Sequence, residues 1–172
     1  MGTINLLNLK NLIIETGGLN ASVLADLVKS DLSELEHLEI WLGTSDYGCT
    51  ITESDLKPIL HGDFPKLKYL GLKNYHLQSE LAQQLQGVPI LNNIETLDLS
   101  MGILKDDGAE ALYNNEALLN LKHINCRRHY ISAEWQSKLK EKFAAQRIDL
   151  SYAEKPYVYD DGEVYHYVEI GE

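Results

Sequence analysis

Glu39 and Asp98 are the residues whose type and placement come nearest to a catalytic pair. Each holds the fifth position of a short alternating segment, "LEHLEI" from Leu35 and "IETLDLSMGIL" from Ile94. If both segments are strands with one more between them, the carboxylates stand two strand spacings apart, roughly 9.6 Å. Carboxyl groups about 6.5 to 9.5 Å apart can serve an inverting glycosidase. That chemistry also needs a site that excludes water, and a flat sheet face implies no deep pocket. His37 and His123 would lie three spacings apart, about 14 Å, too far to share a metal ion. The chain has no Walker loop, no G-x-G-x-x-G, no H-E-x-x-H and no G-x-S-x-G. Cys49 and Cys126 are too distant for a C-x-x-C motif and too few for a disulfide scaffold, which points to a reduced, cytoplasmic setting. Cys126 reads as a small buried hydrophobe, and His61, His76, His129 and His166 as solvated side chains. No catalytic group, cofactor or metal is expected.

The elements that would position these residues follow from one stretch, "LKYLGLKNYHL", residues 67–77. Leucine holds positions one, four, six and eleven, with Tyr69, Gly71, Lys73 and Tyr75 between. The pattern recurs as "LKNLIIETGGL" from Leu9, "LEHLEI" from Leu35, "IETLDLSMGIL" from Ile94, "LKHINCRRHYI" from Leu121 and "AQRIDL" from Ala145. The starts at 9, 35, 67, 94, 121 and 145 are spaced by 26, 32, 27, 27 and 24 residues. Removing the extra "GTSDYG", Gly43 to Gly48, returns the long spacing to 26. A fixed period of this length is the signature of a repeat array.

Each unit reads as strand, turn and helix, because period-2 alternation gives way to helical spacing. "NASVLADLVKS" predicts a helix capped by Asn20 or Ser22, with Val23, Leu24, Leu27 and Val28 on one face. "KDDGAEALYNN" predicts a cap at Asp106 or Asp107. "SELAQQLQG" closes at Gly87, and Pro58 within "TESDLKPIL" predicts a short or irregular helix.

These units resemble leucine-rich repeats over residues 9–152, and their length together with "DDGAEAL" resembles the ribonuclease-inhibitor-like subfamily. The ending "YHYVEIGE" is similar to endings of bacterial cytosolic leucine-rich-repeat proteins of unassigned function. The resemblance implies an α/β fold: a right-handed solenoid of five to six units with a parallel sheet on its concave face. The family places Asn or Cys at the ninth position; here Gly17, Cys49, Tyr75, Gly102 and His129 stand there. Only Cys49 conforms, so the turns after the strands are expected to be less regular.

With the leucines inward, positions three, five and seven fall on the concave face. They are Asn11, Ile13 and Glu15; His37, Glu39 and Trp41; Tyr69, Gly71 and Lys73; Thr96, Asp98 and Ser100; His123, Asn125 and Arg127; Arg147, Asp149 and Ser151. The early units contribute Glu15, Glu39, Trp41 and Tyr69, the later ones His123, Arg127, Arg147 and, just past the strand, Arg128. Trp, Tyr and Arg dominate interface hot spots, and Trp41 and Tyr69 are expected side by side with no core to fill. Gly71 should leave a gap in the face. Asp46 and Tyr47 on the inserted loop form a secondary candidate. The bland alternative is that an exposed sheet face merely holds polar residues for solubility.

The 172 residues carry a formal charge of −11, with 44% hydrophobic and 24% charged residues. This is globular composition, and the negative charge argues against a nucleic-acid backbone as partner. The opening "MGTINLLNLKNLIIE" lacks a basic n-region, no stretch approaches the roughly 18 apolar residues of a membrane span, and Leu6 makes a poor myristoylation site. Residues 1–8 read as a partial unit or minimal cap. Three readings of that end stand: a fragment of a longer array, an edge covered by a partner or a second copy, or the short cap itself. Residues 153–172 read as an acidic, tyrosine-rich hairpin turning at Asp161-Gly162, either a cap or a partner-binding tail. The expectation is a non-catalytic module that binds an unidentified protein or peptide on its concave face. The alternative is a structural or assembly role, as a homo-oligomer through the uncapped N-terminal edge.

Overall fold

The computed structural model describes residues 8–170, so the expected N-terminal partial unit or cap lies almost wholly outside the described residues. Six strands form one parallel sheet in chain order: β1 (Asn11–Ile14), β2 (His37–Gly43), β3 (Tyr69–Tyr75), β4 (Thr96–Asp98), β5 (His123–Asn125) and β6 (Arg147–Asp149). Each strand opens two residues after one of the leucine-bearing segments begins. Between consecutive strands lies one α-helix: α1 (Ala21–Leu27), α2 (Glu53–Leu60), α3 (Gln78–Gln84), α4 (Asp106–Tyr113) and α5 (Ala133–Lys142), joined in three of the connections by a short 3-10 helix. A two-stranded antiparallel hairpin follows, β7 (Tyr157–Val158) with β8 (Val164–Tyr165), turning at Gly162 with φ 87°.

One face of the sheet makes the core. Leu38, Ile40, Leu70, Leu72, Leu97 and Ile124 have no exposed surface, and Leu56, Leu81 and Leu112 from the helices pack in the same buried cluster. Burying one such side chain is worth about 1.5–3 kcal/mol, so this apolar layer fixes which face each strand turns inward. Cys126 lies in that layer, and burial pushes its thiol well above the usual range; Cys49 is also buried and free.

Local signals decide the helix ends. Asn20 caps α1, its side chain accepting from the Ser22 N–H at 2.9 Å, while Val23 is exposed rather than on the packed face. The predicted cap on α4 is displaced by one residue: Lys105 is the cap, and Asp106 instead accepts the N–H of Ser132 at 2.7 Å. Helix α2 runs through Pro58 for eight residues, secured at its start by reciprocal Thr52–Asp55 bonding.

The last residues of β3 and the turns after β4, β5 and β6 are more alike than the ninth positions suggested. Asn74, Met101, Arg128 and Tyr152 all adopt left-handed φ, between 55° and 71°. Other side chains hydrogen-bond the backbone around these turns. His129, expected in solvent, is buried; its Nε2 meets the Leu150 carbonyl at 3.1 Å and its Nδ1 accepts the Ile131 N–H at 3.0 Å. Where Gly102 leaves room, Gln78 enters, donating to the Leu72 carbonyl at 3.0 Å and accepting the Tyr75 N–H at 3.3 Å.

The inserted loop packs onto the turn after β1. Thr44 N–H bonds Gly17 O at 2.9 Å, and a Cβ on Gly18 would lie 2.1 Å from Tyr47 O, so only glycine admits this approach. Asp46 and Tyr47 remain exposed above it. No helix among the described residues is long and apolar enough to cross a membrane.

Candidate functional site

Alternation puts His37, Glu39, Trp41, Tyr69 and Lys73 on the sheet face opposite the helices, and all five are partly buried. Tyr69 organises them. Its ring lies flat on His37, centroids 4.0 Å apart and planes 6° from parallel. It also folds over Gly71, where a Cβ would meet Tyr69 Cε1 at 3.0 Å and Glu39 Cγ at 3.3 Å. The expected gap at Gly71 is therefore filled by the neighbouring ring.

The Tyr69 hydroxyl lies 2.8 Å from Asp98 Oδ2 and 3.1 Å from Glu39 Oε2. Both carboxylates thus converge on one hydroxyl, within about 6 Å of each other by those two distances, not at the separation the strand spacing implied. The reason is reach: side chains on strands two apart lean toward the strand between, where glycine leaves space. Trp41 Nε1 and Lys73 Nζ donate to Glu39 Oε1 at 2.8 and 2.9 Å, and the ammonium sits 5.2 Å from the indole centroid. Trp41 and Tyr69 do not stand side by side as expected. The register opposes Trp41 to Lys73 and Tyr69 to His37, and the two rings meet only through Glu39.

Asp98 is 4% exposed, so it supports the face instead of being presented on it. Its Oδ2 also accepts from Asn125 Nδ2 at 2.8 Å. Its Oδ1 accepts the Ser100 N–H at 2.9 Å; Asn125 and Asp149 take the N–H of Arg127 and Ser151 in the same way, at 3.0 and 2.9 Å. This local bonding competes with strand pairing and explains why β4, β5 and β6 stop after three residues. Ser100, Arg127 and Ser151 consequently lie beyond the strands, as does Glu15 after the four-residue β1. Ser100 is buried and Glu15 points to solvent.

The charges follow from these contacts. Burial disfavours ionised Glu39, but the hydrogen bonds from Trp41, Lys73 and Tyr69 outweigh it and hold the carboxyl below its usual range. Burial first, then the Asp98 and Glu39 charges, drives the Tyr69 phenol far above its usual range, so it keeps its proton. Asp149 is lowered chiefly by its hydrogen bonding with Ser151.

The later strands carry looser groups. Arg147 is exposed, His123 is partly buried with Nε2 lacking a partner among the described residues, and exposed Arg127 rests on the Tyr152 ring, guanidinium carbon 4.5 Å from the centroid. Arg128, counted with this face from sequence, turns away to Glu154 at 3.1 Å and Glu169 at 3.2 Å. Among the described residues no group of three or more His, Cys, Asp or Glu side chains could hold a metal ion. Sequence reasoning missed Asn74 and Tyr130, which grip the chain's last described residues; Asn at a left-handed turn was the available signal.

The fold is mixed α/β, carrying a six-stranded parallel sheet in strand–helix order with one face open. No protein-family model and no curated protein matches the chain. Among solved structures it is similar to a Bacteroides fragilis protein determined as a structural-genomics target, with 35% identity and a TM-score of 0.81. The match covers 86% of this chain and 42% of that one, so the chain spans less than half the length of that relative.

Proposed function

We propose that this chain is a leucine-rich-repeat module of the ribonuclease-inhibitor-like kind, a right-handed solenoid whose concave sheet face binds a protein or peptide without catalysis. The roughly even strand starts, the strand–helix order and the sequential parallel sheet support the repeat reading. Residues 9–152 would be the array and residues 153–172 its C-terminal hairpin. The free, buried thiols suit a reducing compartment such as the cytoplasm.

The observation that carries the binding reading is the Glu39 cluster. Trp41, Tyr69 and Lys73 are pinned by hydrogen bonds on a face that no other described element covers. Side chains already fixed lose little entropy on binding, and anchors of this type cost about 2 kcal/mol or more when truncated. The same contacts speak against catalysis. A general acid needs a raised carboxyl pKa and a general base an available one, whereas Glu39 is lowered and fully engaged and Tyr69 keeps its proton.

Capture from a lysate of the source organism tests this with the wild-type chain and a Trp41→Ala, Tyr69→Ala double variant. The reading expects a partner held by the wild type and lost by the variant, whose circular dichroism is unchanged at the assay temperature. An identical set of captured proteins would remove the assignment to this face. Assembly through the β1 edge depends on residues 1–7, outside the described residues, and no observation favours it.

A further inference from the structure

Residues 167–170 lie across the turns that follow β5 and β4 and the end of β3, and they are held almost entirely by their main chain. The Tyr130 hydroxyl donates to the Tyr167 carbonyl at 2.9 Å and accepts the Tyr167 N–H at 3.0 Å. Met101 O accepts the Glu169 N–H at 3.0 Å. Asn74 closes the run: its Nδ2 donates to the Ile170 carbonyl at 2.7 Å and its Oδ1 accepts the Ile170 N–H at 3.0 Å. Two side chains thus each grip both backbone groups of one residue, three positions apart. One side chain of the segment is read electrostatically. Glu169 Oε2 lies 3.2 Å from Arg128 Nε, an ion-pair contact without hydrogen-bond alignment, since that nitrogen has no hydrogen-bond partner among the described residues.

The gripping side belongs to the sheet and its turns, and the gripped side lies at the surface. Asn74 is fully buried at left-handed φ 55°, and both hydrogen bonds of its side chain go to Ile170. By contrast, no residue of 167–170 belongs to the buried core, and Tyr167 is 52% exposed. A pocket of about 280 Å³ beside Val168, bordered by Met101, Arg128, Tyr130, Glu154, Lys155 and Tyr157, opens to solvent there. A segment attached by a few polar contacts, with no side chain in the core, can open locally without unfolding that core.

We infer that Asn74, Met101, Arg128 and Tyr130 form a second binding site, separate from the open sheet face, for an extended acidic peptide of a partner protein. Residues 167–170 are its displaceable occupant in the unbound chain. The site asks for little sequence: an extended main chain gripped at its first and fourth residues, and a carboxylate side chain on the third. Main-chain recognition supplies affinity and the single charge supplies selectivity, as in other modes of extended-peptide capture. A tethered occupant competes at high effective concentration, so an incoming peptide gains when the tail is weakened.

The test uses the full-length chain and a fluorescent peptide, acetyl-His-Tyr-Val-Glu-Ile-Gly-amide, followed by anisotropy. Glu169→Lys weakens the tail, and that variant is expected to bind the peptide at least about tenfold more tightly than the wild type. Adding Asn74→Ala removes binding, and a peptide with Gln in place of Glu loses several-fold. A folded Glu169→Lys chain that binds no better than the wild type, or binding indifferent to Asn74→Ala, overturns the site. If Glu169→Lys fails to fold, hydrogen exchange on the wild type decides. Glu169 and Ile170 amides should exchange on the order of 100-fold faster than that of Leu72, and equal protection makes the tail a permanent part of the fold. A wild-type dimer with exchanged tails in sedimentation also overturns the proposal, because a second copy is then the occupant.

Discussion

The β2–β4 half of the open sheet face and its β5–β6 half carry similar residue types held in opposite ways. On the first, Glu39 accepts from Trp41 and Lys73, Asp98 from Asn125 and the Ser100 N–H, and the Tyr69 hydroxyl, with one proton to give, lies between the two carboxylates. On the second, Arg147 is exposed and Asp149 hydrogen-bonds only Ser151 among the described residues. Length explains part of the contrast. Strands β2 and β3 have seven residues each and keep three face positions in register, whereas β5 and β6 stop where Asn125 and Asp149 capture a backbone N–H. A charge on a sheet face acts as a fixed anchor only where neighbouring strands extend far enough to surround it; elsewhere it steers an approaching partner.

The largest expected effect breaks the bridge itself. Asp98→Ala leaves Asn125 Nδ2 and the Ser100 N–H without their acceptor and the Tyr69 hydroxyl with Glu39 alone. The expected loss is about 3 kcal/mol, or roughly 6–12 °C in melting temperature by calorimetry. Asp149→Ala, which frees one N–H, should cost less than about 1 kcal/mol. Equal losses would erase the distinction between the halves.

Acid titration sharpens the comparison further. Glu39 is held below the usual 4.5, so below that pH the unfolded chain binds more protons at this residue than the folded chain does. Its contribution is complete above 4.5 and is lost as pH falls through the lowered folded value. Denaturant melts of Glu39→Gln against wild type should therefore converge as pH drops below 4.5. A constant difference across that window would place the stabilisation elsewhere.

The leucine spacing made much of the sheet legible before any coordinates. Residues 11, 37, 69, 96, 123 and 147 open the six strands, each two places into its segment, because burial of the fourth and sixth positions fixes the pleat. The Asn20 cap was legible too, since its bond is local. The face was less so. Alternation tells which side a residue takes, not which torsion it adopts, so the Tyr69 ring over Gly71 and the burial of Asp98 did not follow from it. Early strand ends at Asp98, Asn125 and Asp149 come from side-chain bonds two residues long, which hydrophobic period does not report. Ile170 seated on Asn74, 96 positions away, lay beyond any local signal.

The most direct measurement is the affinity of a captured protein partner for Trp41→Ala and Arg147→Ala chains, by calorimetry at physiological salt. A fixed anchor on the first half predicts at least about a tenfold loss for Trp41→Ala. Arg147→Ala should lose less than about threefold and show its effect in salt dependence and association rate. A partner that tolerates Trp41→Ala and is lost with Arg147→Ala would contradict the account.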